Sequence, residues 1–324
     1  RKEHNLGVNG GSDNTAYSFN TSYLGQEGNV VTSNFERVTT RLSIDSKVNN
    51  WFSTGISAFY STSSQNYPTQ SGSSYQSAIQ WIYTIPSIYP VYRRDAAGDL
   101  IVDGNGKNIY DYGATAGQLV NGNRPQLNNE NAYGSLYNYK IRNKRDNFTA
   151  NAYLQFNLAE NLTFKTNLAY DKYLFDAYNY ASNEVGYASS VAGRVTQDRD
   201  ITTSTNVINT LNYKKTIGKH NFSADVIQEA YNYEIDALGA QGEGFLPGVY
   251  VLDGKTTPSS VSGSTTAERI SSYLGRLSYN FDEKYFIEGS YRKDGSSRFN
   301  SDVRWGDFYS VGGSWIVSQE KFLA

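Results

Sequence analysis

The sequence contains no cysteine among its 324 residues, which leaves no disulfide framework and no thiolate metal site. Histidine is nearly as scarce. His4 and His220 both stand beside turn-forming residues, so neither a His-based triad nor a zinc trio can be assembled. Excess charge of either sign is missing too: the formal net charge is -2 and the pI near 5.8, without the basic footprint of a nucleic-acid binder. No run of about 18 apolar residues occurs, which excludes a membrane-spanning helix. It does not exclude a membrane, because barrel strands show themselves only as alternating segments of about ten residues. The chain opens at Arg1 with no charged-then-apolar leader, so any export signal is expected to have been removed, and more than a leader with it.

What is present is tyrosine, glycine and short polar residues. With 28 tyrosines, 29 glycines and 15% aromatics, the composition suits strands and turns better than helices. Period-two alternation confirms the choice. From Phe148 one face reads Phe148, Ala150, Ala152, Leu154, Phe156, Leu158, and the other Thr149, Asn151, Tyr153, Gln155, Asn157. The pattern returns from Leu162 to Asp171, around Phe222 to Val226, from Tyr273 to Asp282 and from Tyr285 to Arg292. Weaker versions cover 15–24, 34–48 and 51–62, giving about eleven strands, several of them longer than the usual five or six residues.

Connections near 10–14, 46–51, 158–162, 214–220 and 281–284 are tight and built from Gly, Asn, Asp and Lys, whereas those near 25–33, 62–142, 178–195, 236–268 and 294–306 are long. Short and long alternate strictly. A soluble sandwich has no reason to keep one end of every hairpin short, but an outer-membrane barrel does, with short periplasmic turns and long extracellular loops. Tyrosines at strand ends (Tyr170, Tyr173, Tyr178, Tyr180, Tyr285, Tyr291) match an interfacial girdle. The expected fold is therefore all-β, an antiparallel transmembrane β-barrel. An odd strand count cannot close a single-chain bacterial barrel, so the chain reads as part of a larger one.

The stretch from Arg269 to Leu323, "RISSYLGRLSYNFDEKYFIEGSYRKDGSSRFNSDVRWGDFYSVGGSWIVSQEKFL", joins a Tyr-x-Gly-Arg-Leu strand, an Asp-x-x-Tyr turn and an Arg-x-Asp-Gly-Ser-Ser-Arg-Phe loop to an aromatic strand ending in Ser-x-Glu-x-Phe-Leu. It resembles the SusC/RagA family of TonB-dependent outer-membrane transporters of Bacteroidetes. Residues 4–30 and 36–55 resemble the same family's first barrel strands. The resemblance implies about half of a 22-stranded barrel, with 1–324 lying wholly in the barrel domain and the plug and remaining strands absent. It implies active import of a large nutrient, a glycan or peptide, with a SusD-like lipoprotein lid and the TonB-ExbB-ExbD complex as partners. Outer-membrane lipid would surround the barrel, and no enzymatic activity, cofactor, metal or nucleic acid is implied. A passive porin or assembly barrel, or a soluble extracellular sugar-binding domain, are the competing readings.

Two stretches offer candidate site residues. The connection 62–142 gathers Trp81, Tyr83, Tyr89, Tyr92, Arg93 and Arg94, whose rings can stack on sugar faces and whose guanidinium groups can bind hydroxyls or carboxylates. The competing reading is a mini-core around Ile79, Ile82, Ile85 and Ile88 that packs the loop onto the barrel mouth. The family-motif loop Asp294, Gly295, Ser296, Ser297, Arg298, Phe299 with Trp305 is expected to be structural, its arginines pairing with Asp302 or Asp307. "DGNGKN" at 103–108 lacks the ligand pattern of a calcium loop and reads as a hairpin.

Overall fold

Alternating side chains leave each strand with two unlike faces, and the fold is the ladder that keeps those faces in register. The computed structural model describes residues 1–68, 77–113, 124, 127, 130–246, 248–320 and 322. Its strands are Lys2–Gly11 (β1), Thr15–Glu27 (β2), Asn34–Lys47 (β3), Phe52–Tyr67 (β4), Lys140–Ala159 (β5) and Leu162–Ala181 (β6). Then follow Arg194–Ile217 (β7), His220–Glu243 (β8), Thr257–Phe281 (β9), Tyr285–Ser296 (β10) and Trp305–Trp315 (β11). All eleven form one antiparallel sheet in strict chain order. Two short helices, Ala78–Thr84 (α1) and Gly134–Asn138 (α2), lie in the connection from β4 to β5.

The tight hairpins follow from local chemistry. Asp282 and Glu283 take φ of 55° and 54°, and Gly218 takes 59°, the left-handed backbone that matches strand twist at a short turn. The opposite ends are longer, but less open than the sequence implies for 236–268. There β8 runs on to Glu243 and β9 starts at Thr257, 24 and 25 residues long. The Ser- and Thr-rich stretch 257–266 carries no apolar alternation, so it reads as a loop. Its backbone nevertheless pairs with β8 almost throughout, and Thr265 Oγ1 donates to Asp236 Oδ1 at 2.6 Å.

Register fixes which side chains share a face. One row runs Leu162, Tyr213, Ala224, Leu277, Gly289, Val311 across β6 to β11. Another runs Val8, Phe19, Leu42, Ala58, Ala150, Tyr170 across β1 to β6. By the same parity Leu154, Phe156, Leu168 and Leu277 share this apolar face, which is largely exposed. The other face is polar. Its row Thr163, Asn212, Asp225, Arg276, Ser290, Ser310 is stitched by an Arg276–Asp225 ion pair at 3.0 Å and a Ser290–Ser310 hydrogen bond at 2.7 Å. Gln155 and Lys165 pair on that side.

Aromatic rings collect at the short-turn end of the apolar face: Trp51, Phe52, Phe156 and Phe164 stack in series, as do Phe281, Tyr285 and Trp315. The tyrosines at the far end of β6 divide differently from a simple girdle. Tyr173 falls on the polar face by parity, while Tyr178 and Tyr180 pack beneath Tyr250 of the β8–β9 connection. A single sheet has no second layer to pack against, so the buried apolar clusters lie at the long-loop end, around Trp81 and around Val195.

The face assignment predicts unequal responses to charge. Leu154→Arg places a cation in the middle of the apolar face, costing about 2–4 kcal/mol where that face meets hydrocarbon. Gln155→Arg should be tolerated. Heat-modifiable gel migration of the two variants is expected to show loss of folded barrel for the first alone.

Candidate functional site

The long connections from four hairpins meet at one end of the sheet. Trp81 enters this region from α1 with 2% of its surface exposed, packed with Tyr139, Ala181 and Ala188 and flanked by Ile85, Leu136, Tyr187 and Val191. The buried ring ties the β4–β5 connection to the β6–β7 connection. As a stacking surface for a ligand it is closed, because helix α1 turns it inward against Tyr139. The mini-core is therefore built on Trp81 and Ile85, whereas Ile82 and Ile88 are exposed; the side chain of Ile79 lies outside the described set. Tyr83, two residues on, is 84% exposed.

Residues 91–110 form a small hairpin stack. Tyr92 bridges Tyr110, Arg94 bridges Leu100, and Val102 bridges Asn108. Asp95 and Asp103 each cap their own turn: Asp103 Oδ1 accepts from the amides of Asn105 and Lys107 at 2.8 and 2.9 Å, and these bonds hold its carboxyl below its ordinary value. "DGNGKN" is a self-capped hairpin. Tyr92 stacks on Tyr110 at 5.3 Å, Tyr110 on Tyr137 at 6.4 Å, and Tyr137 meets Tyr133 edge-on at 5.3 Å. Arg94 donates to the Gly98 carbonyl at 2.7 Å, and Arg93 is half-buried with its amide bonded to the Ile109 carbonyl. Tyr89 lies under the Arg124 guanidinium at 4.3 Å from its ring centre.

Beneath this aromatic surface is a buried polar core with almost no sequence signature. Arg124 and Asp111, each 1% exposed, pair at 2.7 Å. Arg124 also donates to the Glu130 carbonyl at 2.9 Å and the Asp111 carbonyl at 3.0 Å. Asn131 Nδ2 donates to the carbonyls of Val91 and Asp111, while its Oδ1 accepts from the amides of Tyr133 and Gly134 at the start of α2. Asn131 is the one member with a readable sign, since Asn before a helix start satisfies free amides. The Glu130 carboxylate accepts from Ser135 Oγ at 2.9 Å and Tyr139 OH at 3.1 Å. Burial pushes Glu130 up to about 7, against the lowering effect of both hydroxyls, and pushes Tyr139 well above the usual phenol range.

The motif loop is structural in its contacts. The Trp305 ring lies over Gly295, where an added Cβ would meet ring carbons at 2.9 Å, and it stacks on Tyr273 at 6.3 Å. Only glycine opposite the indole lets the two strands keep register. Arg298 pairs with Glu268 at 2.8 Å, and Ser297 exchanges bonds with the Arg269 backbone, so the loop clamps onto β9. The acidic partner is thus a β9 residue in place of Asp302 or Asp307. Asp302 accepts from Ser301, and Asp307 takes Tyr291 OH and, at 3.8 Å, Lys293. Ser296 bonds the Arg304 carbonyl, Asp294 pairs with Arg292 at 2.7 Å, and Phe299 is exposed.

Aromatic faces, guanidinium groups and hydroxyls of this kind bind. Among the described residues no three His, Cys, Asp or Glu are grouped to hold a metal. A one-sheet ladder with short turns at one end, long packed loops at the other and an exposed apolar face is the wall of a β-barrel. The comparisons say which kind. The chain is 26% identical over 336 residues to TonB-dependent receptor P3 of Formosa agariphila, covering 98% of this chain and 30% of the relative. It is 25% identical over 337 residues to TonB-dependent receptor SusC of Bacteroides thetaiotaomicron, covering 99% and 31%. Among solved structures, the RagAB peptide importer in its closed-closed state superposes with a TM-score of 0.75 at 26% identity, over 99% of this chain and 34% of that one. No family model matches. The chain is homologous along its length to TonB-dependent receptors of the SusC and RagA type, and it spans under a third of the curated relatives' length.

Two outcomes follow for the loop core. Asp111→Ala leaves the Arg124 charge buried without its carboxylate, a loss of about 3–5 kcal/mol. Limited proteolysis should then cut the β4–β5 connection while the barrel keeps its heat-modifiable migration. Glu130, raised from an ordinary 4.5 to about 7, is neutral in the folded loop over a range where the unfolded loop is ionised. Its contribution to loop packing is full below about pH 4.5 and lost as pH rises through about 7, a span of about 3 kcal/mol. Protease resistance of the loop should fall across that window in the native protein and stay flat in Glu130→Gln.

Proposed function

We propose that this chain forms part of the barrel wall of a TonB-dependent importer in the bacterial outer membrane, a transporter and not an enzyme. The apolar face meets lipid, and the polar face lines the lumen or contacts a plug. The cargo is a large nutrient, an oligosaccharide or a peptide, and energy comes from the TonB-ExbB-ExbD complex through segments outside this chain. The observation that carries the reading is similarity running the full length of the chain, to SusC on one side and to a peptide importer on the other. The exposed apolar rows and the alternation of short and long connections support the same orientation, long loops outward.

The loop end is then where cargo and a SusD-like lipoprotein lid would arrive. The described parts of the connections 28–33, 68–139 and 182–193 would give a lid a firm seat: Thr32 Oγ1 bonds the Leu136 carbonyl, and Trp81 locks the second loop onto the third. For cargo, the proposed contacts are the exposed Tyr83, with Tyr92 in its tyrosine stack and Arg93, Arg94 and Tyr89 beside it, since Trp81 serves packing. Stacking of this type is worth about 1–3 kcal/mol per ring by analogy with nucleobase stacking.

Topology is the direct test. Cysteines introduced at Ser259 and Asn300 should react with an impermeant maleimide on intact cells, and those at Asn50 and Lys219 should react only after lysis. Surface labelling of the second pair would overturn the orientation.

A further inference from the structure

We infer that the apolar-side face of β5, β6 and β7, just beyond the end of its apolar rows, is a binding site for the phosphate groups of outer-leaflet lipid. The inference rests on the membrane orientation proposed above. On β5 that face reads Leu158, Phe156, Leu154, Ala152, Ala150, Phe148, an apolar stretch of about 25 Å at the usual strand rise and tilt. The next three residues on the same side are Asp146, Lys144 and Arg142. Lys172 of β6 stands opposite Phe148, Asp176 opposite Lys144, and Arg199 of β7 opposite Asp176. Four cations and two carboxylates therefore share a patch three strands wide, at the height where hydrocarbon gives way to headgroups.

Of the two carboxylates Asp176 is ion-paired and Asp146 is not, so Arg142, Lys144 and Lys172 stand beside a single unneutralised acid. Asp176 holds Arg199 at 2.9 Å and Gln197 at 3.2 Å, and Asp146 accepts from Tyr60. Lys144 and Lys172 are exposed and make no hydrogen bond or ion pair. Arg142 lies against the Tyr178 ring, 5.4 Å from its centre, with a buried Nε that meets no acceptor. On the polar face Arg276 pairs with Asp225, and Arg292 with Glu229 and Asp294, while Arg145 and Lys165 lie over the rings of Phe175 and Tyr153. Three cations against one free carboxylate leave an excess of positive charge beside an apolar band, which an anion from outside the chain would balance. Lysine stems can run along the apolar surface while their ammonium groups reach headgroup level. A guanidinium held flat on a ring offers its remaining N–H groups to a phosphate. The anion that lies at this height around the whole circumference is lipid phosphate.

The test is native mass spectrometry of the complete gene product in non-ionic detergent, titrated with bis-phosphorylated lipid A and with its dephosphorylated form. Retention of the phosphorylated lipid is expected, weakening as salt rises. Lys144→Gln with Lys172→Gln should cut affinity about tenfold, Arg142→Gln should cut it further, and Lys144→Arg with Lys172→Arg should restore it. Heat-modifiable migration should be unchanged in every variant. Equal affinity for the dephosphorylated lipid, or no change in the glutamine variants, overturns the site. So does a shift from dimer to monomer in those variants without lipid loss, which would mean that the patch seats a second copy. A protein that stays in solution without detergent fails the membrane reading itself, before any lipid is added.

Discussion

A sheet that exposes apolar side chains on one face has to pair its own backbone groups from edge to edge. An amide turned toward hydrocarbon finds no water, and leaving it unpaired costs several kcal/mol. Everything else in this chain follows from that demand. It forces antiparallel neighbours in chain order, makes register absolute, and ties each polar residue to one side by parity alone. It also explains why turns such as Asp282–Glu283 adopt left-handed backbone: the alternative would splay the strands and break the ladder at its tightest point.

Because the ladder supplies the order, side-chain packing is left free to specialise. The polar face is not a core, yet its groups bind one another across strands, as Asn212, Asp225 and Arg276 do. Such bonds favour one register over its neighbours, with Asp225 buried between partners and Arg276 still half-exposed. At the loop end the situation inverts. There the backbone is irregular, so buried polar groups must be satisfied one at a time, by Arg124 on the carbonyls of Glu130 and Asp111 and by Asn131 on those of Val91 and Asp111. A loop held by buried charges is costly to rearrange, and its exposed tyrosines keep their positions accordingly.

The strands were legible in the sequence because period two is a local signal: the Phe148 to Leu158 alternation names its own faces. The hairpin ends were legible through Gly, Asn and Asp. The extension of β8 and β9 was not, since Thr257–Thr266 is ordered by its partner strand and carries no apolar period. The candidate loop divided in the same way. A run of aromatics and arginines marked the right segment, but nothing local distinguishes Trp81, turned inward by α1, from Tyr83, turned outward two residues later. Asp111, Arg124 and Glu130 are spread over a long connection, and only the folded loop brings them together. The Arg298–Glu268 pair was missed for a related reason, because the nearer acids Asp302 and Asp307 lie along the loop while Glu268 reaches across from β9.

The contrast between paired and unpaired cations bears on how such a wall is assembled. On the polar face some cations are stitched to carboxylates, as Arg276 is to Asp225 and Arg292 to Glu229, while Arg145 and Lys165 lie over the rings of Phe175 and Tyr153. Above the apolar rows on the opposite side, Lys144 and Lys172 have neither, and in the proposed orientation headgroups and water stay within their reach. The same residue type is thus governed by two different media a few ångströms apart. Parity decides which medium each residue meets, and a one-residue slip of β5 against β6 would exchange them, carrying Lys165 toward hydrocarbon and Leu168 toward the polar face. Register is what the polar ladder protects, and protecting it keeps each charge in a medium that can hold it.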